Sequence, residues 1–122
     1  MGYVYCELTV KGKIKEKRIK ALVDTRATYL ILNNDTVKEL GLVDTGYKVT
    51  LTLADKRKVD ANLYIAEVKA EGRRGPVMVA SIDTPIPLLG IFALESLGLK
   101  PDPISGRLEV IGPEGGYLLL TY

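Results

Sequence analysis

Asp24 closes an apolar run, Ala21-Leu22-Val23, and is followed by Thr25, Arg26, Ala27 and Thr28 in the stretch ALVDTRATYLIL. An acid carried to the end of a buried strand is costly unless it is paired or hydrogen-bonded. Thr25 can offer a hydroxyl, and Ala27-Thr28 allows tight backbone packing. One carboxylate cannot serve as both acid and base, but two copies meeting at a twofold axis can. Two close carboxylates share a proton, so one acts as base on a water while the other donates to a carbonyl. Asp24 is therefore a candidate for hydrolytic chemistry in a chain that dimerises. Arg26 sets a bulky cation two residues from that acid.

The composition removes most other chemistries. There is no His, so neither a Ser-His-Asp nor a Cys-His couple is available. With no His and Cys6 as the single cysteine, no zinc site and no internal disulfide are expected within one chain. No Walker-type glycine loop and no GxGxxG occur. No metal and no cofactor are expected. A second acid motif, Asp44-Thr45-Gly46 in VDTGYK, follows a helix stop rather than an apolar strand and lacks a following Ala or Ser. It is expected to be a surface turn. Asp55, Asp60 and Asp83 lie in polar or turn contexts and are expected to be solvated.

The elements that must position Asp24 are mostly strands. Tyr3 to Val10 and Ile14 to Val23 form a predicted hairpin around Lys11-Gly12-Lys13. Asn33-Asn34-Asp35 offers helix caps, and a short helix runs from Asp35 to Leu40 with its stop at Gly41. Tyr47 to Leu53 alternates, with Val49, Leu51 and Leu53 on one face. Asp55-Lys56-Arg57-Lys58 reads as a hairpin tip. Val59, Ala61, Leu63 and Ile65 continue the alternation, which then shifts phase to Ala66, Val68 and Ala70; a one-residue bulge near Ile65 would do this. Glu71 to Pro76 is a predicted turn and Val77 to Ile82 a strand. Pro85 and Pro87 bracket a loop into Leu88-Leu89-Gly90, ahead of a second helix, Ile91 to Leu97, that stops at Gly98. Arg107 to Ile111 and Tyr117 to Tyr122 are strand-like around a Pro113 to Gly116 turn. VKELGL and LESLGL end both helices alike, which leaves open a duplicated half or merely the common glycine stop.

These motifs together resemble the retropepsin-like aspartic proteases, especially small microbial members. The resemblance rests on ALVDTRATYLIL, ELGL, VTLTLADKRKV and PLLGIFALESLGLKPDPISGRLEV and covers about residues 5 to 111. The family signature, apolar residues and then Asp-Thr/Ser-Gly-Ala/Ser, falls on Leu22, Val23, Asp24, Thr25 and Ala27. The second hallmark, an apolar pair, Gly and a helix, falls on Leu88-Leu89-Gly90 and Ile91 to Leu97. The resemblance implies a homodimer with one catalytic Asp24 per chain and Thr25 bonding the partner's backbone. It also implies a flap closing over a peptide or protein substrate, built from Leu53, Ala54, Asp55, Lys56, Arg57, Lys58 and Val59. Arg26 stands where the family has glycine, in the active-site loop Thr25-Arg26-Ala27. It is able to fill the cleft, pair with Asp24 or swing to solvent.

The expected fold is all-β, a retropepsin-like closed barrel with two short helices, in a single domain over 1–122. The expected function is an aspartic endopeptidase impaired to some degree by Arg26. The alternative is a catalytically inactive module for dimerisation or peptide binding. Residues 11–20 hold six basic side chains against Glu16, but no aromatic residues interleave for base stacking. A net charge of +2 is too small to argue for a polyanion, so no nucleic-acid partner is expected. No apolar run approaches the roughly 18 to 20 residues of a membrane span, and the start lacks the pattern of a signal peptide. A cytoplasmic protein without a membrane partner is the expectation.

Overall fold

The computed structural model describes residues 3–53, 55–102 and 104–111. The expected turn at 113–116, the strand at 117–122 and the flap residue Ala54 lie outside them. In chain order the elements are β1 (Tyr5–Lys11), β2 (Glu16–Val23), β3 (Leu30–Leu32), α1 (Asn34–Leu40), β4 (Val43–Thr52) and β5 (Lys58–Ala70). They continue with β6 (Arg73–Ser81), β7 (Leu88–Leu89), α2 (Ile91–Leu97), β8 (Leu99–Asp102) and β9 (Arg107–Val110). The fold is mostly β with two short helices, as the sequence leads one to expect.

Sheet order is β1-β2-β7-β3-β6-β5-β4, and a further β1–β5 pairing joins the strands into a ring with β4 appended. Two of the links are parallel: β2 with β7, and β3 with β6. Between them β3 and β7 run antiparallel, with Leu30 opposite Leu89 and Ile31 opposite Leu88. The sequence β1-β2-β3-α1 is thus repeated as β5-β6-β7-α2, and each half lays its third strand beside the second strand of the other. The echo between the helix ends extends to the whole half, which favours duplication over a chance glycine stop.

Local chemistry sets the helix limits. Asn33 caps α1 by accepting from the Thr36 N–H at 3.0 Å, so the helix begins at Asn34, one residue earlier than expected. Gly41 and Gly98 end α1 and α2 with φ of 69° and 72°, a left-handed conformation that suits glycine. The β5–β6 turn is tighter than expected. Glu71 and Gly72 both have positive φ, and Ala70 pairs with Arg73 directly.

The core has two parts. The larger is built around Leu8, Leu30, Leu32, Leu40, Leu89, Leu94 and Leu97; the smaller holds Ile31, Ala61, Leu63 and Ala80. This division corrects the bulge expected near Ile65. The β5–β6 register runs unbroken from Leu63 to Ala70. Ala61 and Leu63 face the smaller cluster, whereas Ala66, Val68 and Ala70 face the larger one from the opposite side of the strand. The alternation changes phase because a long strand passes between two cores. The irregularity lies instead in β4, between Asp44 and Lys48.

The basic hairpin is largely committed to its own chain. Lys15 and Lys17 pair with Glu39 of α1 at 3.0 and 3.1 Å, and Arg18 pairs with Glu7 at 2.8 Å. These hydrogen bonds hold the Glu39 carboxyl below its usual range. Lys20 lies 5.0 Å over the Tyr5 ring. No described helix is long and apolar enough to cross a membrane.

Cys6 on β1 is 3% exposed, and burial, followed by the charges of Glu71 and Glu7, pushes its thiol up to about 12. The thiolate is the reactive form, and a free cysteine has a pKa of about 8.5. Iodoacetamide at mildly alkaline pH is therefore expected to label the native chain at least about a hundredfold more slowly than the denatured chain. Similar rates would show that β1 is not packed as described.

Candidate active site

Asp24 follows the last paired residue of β2, and the backbone leading to it is held from both sides by three hydrogen bonds. Leu22 N–H donates to Pro87 O at 2.9 Å, Val23 N–H to Val4 O at 2.8 Å, and Asp24 N–H to Leu89 O at 3.0 Å. The loop beyond it is held by α2. Gly90, Ile91 and Phe92 donate their N–H groups to the carbonyls of Tyr29, Ala27 and Thr28 at 3.0, 2.8 and 3.0 Å. Helix starts carry N–H groups without intrahelical partners, and here the loop supplies the acceptors. The backbones approach so closely that a Cβ on Gly90 would lie 2.5 Å from Thr28 C and 2.6 Å from Tyr29 O. This explains the glycine of Leu88-Leu89-Gly90.

The Asp24 side chain is 22% exposed. Its Oδ1 accepts from the Arg26 N–H at 3.0 Å and from Arg26 Nε at 3.3 Å. No described residue bonds to its Oδ2. Arg26 thus both pairs with Asp24 and reaches solvent, since its side chain is 86% exposed. Its backbone does not have a positive φ, so arginine meets no conformational penalty at this position. A one-nitrogen contact with so exposed a partner contributes about 1 kcal/mol or less. The Thr25 side chain makes no hydrogen bond among the described residues.

A pocket of about 650 Å³ opens beside Asp24. Asp24, Arg26, Ala27 and Thr28 form one wall, and Thr50 to Leu53 of the β4–β5 hairpin form another. Ile82, Asp83 and Thr84 come from the β6–β7 loop. Ile31 and Leu88 also line it and belong to or pack on the smaller core cluster, so the pocket rests on rigid apolar side chains. A volume of this size suits a segment of an extended ligand. A second groove of about 410 Å³, beside Lys11 to Lys13 and Gly75-Pro76, shares no residue with it.

Of the expected site residues, Asp24, Arg26, Ala27 and Leu53 come together at this pocket; Thr25 is adjacent and exposed. Asp55, Lys56, Arg57, Lys58 and Val59 do not line it. They form the β4–β5 tip, closed by Leu53 N–H to Arg57 O at 2.8 Å. There Asp55 accepts from the Arg57 N–H and from Arg57 Nε at 3.1 and 2.6 Å, and these bonds hold its carboxyl below the usual range. The tip therefore keeps its ion pair into the acid range and loses it as pH falls through that lowered value.

Asp44-Thr45-Gly46 is not a turn between elements. It is the irregular part of β4, where Asp44 accepts from Gly46 N–H at 2.8 Å and the Thr45 hydroxyl donates to Leu63 O at 2.7 Å. None of the three residues lines the pocket. Sequence reasoning missed the polar wall Thr50 and Thr52, and it assigned Asp83 to solvent. Asp83 is exposed and is one of the residues lining the pocket. One signal was available: Ile82-Asp83-Thr84 repeats the pattern of Val23-Asp24-Thr25 at the end of the corresponding strand of the other half.

A family model described as gag-polyprotein putative aspartyl protease matches residues 10–96, a span that includes Asp24, the β4–β5 hairpin and Leu88-Leu89-Gly90. The chain belongs to this retropepsin-like aspartyl protease family. No curated protein matches it.

The contact between α2 and the loop has a direct test. Gly90→Ala is expected to destabilise the fold by about 2 kcal/mol or more, because backbone must move to admit the methyl group. Thermal denaturation followed by circular dichroism measures this. An unchanged midpoint would contradict the close approach.

Proposed function

We propose that the chain is an aspartic endopeptidase that works as a homodimer with one Asp24 from each copy. The observation that carries this reading is the placement of Asp24. Its carboxylate stands at the wall of a pocket on a rigidly held loop, inside the span that matches the aspartyl protease family. In this reading the two Asp24 carboxyls share one proton across the twofold axis. The ionised one takes a proton from water as the oxygen attacks the peptide carbonyl carbon, and the protonated one donates to the carbonyl oxygen. Collapse of the tetrahedral intermediate breaks the C–N bond, and the proton passes to the leaving nitrogen. Leu53 to Val59, with Ala54 among them, serves as the flap. Thr25, exposed and without a side-chain hydrogen bond among the described residues, is available to the partner's loop. Ile91 and Phe92, 36% and 38% exposed at the start of α2, leave apolar surface uncovered in the single chain.

Arg26 bears on the same site. Its guanidinium bonds the oxygen that also anchors the loop, and in a dimer two such cations flank the shared acids. A cation stabilises the charged form of a carboxylate, which works against keeping a proton on the pair. That contact favours the second reading, in which the chain binds peptides in this pocket without cutting them.

Three proteins separate the readings: the chain itself, Arg26→Gly, and Arg26→Gly with Asp24→Asn. Cleavage of a long apolar fluorogenic peptide is expected to rise by up to about fivefold in Arg26→Gly, the equivalent of about 1 kcal/mol at the pair. The gain is expected to vanish in the double variant. Asp44→Asn is expected to stay within a few-fold of its parent. Sedimentation equilibrium at micromolar concentration is expected to give a dimer. A strict monomer, or cleavage that survives loss of Asp24, would overturn the shared-acid mechanism.

A further inference from the structure

Four described aspartates in loops and bulges satisfy themselves in the same way. Asp24, Asp44, Asp55 and Asp102 each accept, through Oδ1, the N–H of the residue two positions on, at 3.0, 2.8, 3.1 and 3.0 Å. Asp83 cannot do so, because the residue two positions on is Pro85, which has no N–H. No described residue makes a hydrogen bond or ion pair with its carboxylate. Asp83 is nevertheless held in place. The loop that carries it is closed by Thr84 Oγ1 donating to Ile86 O at 3.0 Å, and its end is pinned by Leu22 N–H to Pro87 O at 2.9 Å.

We propose that Asp83 sets specificity in the Asp24 pocket by receiving a lysine or arginine side chain of a bound peptide. The inference rests on the peptide-site reading above but not on turnover. Two further features support it. Arg26 is the one cation among the described residues lining the pocket, and it is already bonded to Asp24. The negative charge of Asp83 is therefore unmatched within the pocket. Ile82, Leu53 and Leu88 line the same pocket, apolar surface suited to the methylene stem of a long cationic side chain whose charged end stays near water. Glutamate or aspartate in the same place would meet the Asp83 charge, and a short apolar residue would leave it unpaired. Because Asp83 is exposed, the pair is partly screened, so the preference is moderate and weakens with salt.

The test is fluorescence anisotropy with short labelled apolar peptides. A single lysine is walked along the peptide, with norleucine and glutamate versions as controls. At one peptide position the lysine version is expected to bind about three- to fivefold more tightly than the norleucine version, the range of a partly screened pair. Asp83→Asn is expected to erase the difference, and Asp83→Lys to transfer the preference to the glutamate version, which a misfolded variant would not do. Equal binding of lysine and norleucine peptides at every position would overturn the proposal, as would a lysine preference that survives in Asp83→Asn. Failure of every peptide to bind would overturn both this inference and the peptide-site reading. A preference that is present while no peptide is cut, even in Arg26→Gly, would overturn only the protease reading.

Discussion

The site depends on a backbone-to-backbone contact: the first N–H groups of α2 donate to the carbonyls of Ala27, Thr28 and Tyr29. That contact satisfies N–H groups that have no intrahelical partners and fixes the loop that carries Asp24. It needs glycine at position 90. The two parallel strand links serve the same end. β7 lies between β2 and β3, so the strand leading to Asp24 and the strand leaving its loop are both tied to the short strand that feeds α2. The duplication of the half-fold places a second strand-end loop, that of Asp83, across the same pocket.

On this frame the electrostatics are light and local. The Asp24–Arg26 contact involves one carboxylate oxygen and a highly exposed guanidinium. Arginine is tolerated there because the backbone does not require a positive φ. At the hairpin tip, Asp55 and Arg57 form a similar short pair that braces the turn.

Much of this was legible in the sequence where a signal is local. Asp24 stands out because an acid ends an apolar run, and α1 and α2 are marked by Asn33, Gly41 and Gly98. β3 and β7 were not visible, since two or three apolar residues become strands only through partners far along the chain. β8 was obscured by Pro101, a residue that argues against strand. The phase change in β5 was visible but its cause was not. Alternation says that one face is buried, not which of two cores buries it. Asp83 was set aside because exposure and polarity in the sequence do not tell whether the water beside a residue is bulk solvent or a pocket.

The central claim is that two copies of Asp24 form one site. Its most direct test is a calorimetric titration of Arg26→Gly with a peptide whose scissile carbonyl is replaced by a hydroxyl-bearing tetrahedral carbon, a mimic of the transition state. A shared site predicts one inhibitor bound for every two chains, with binding lost when Asp24→Asn is added. One inhibitor for every chain, or binding indifferent to Asp24, would contradict it.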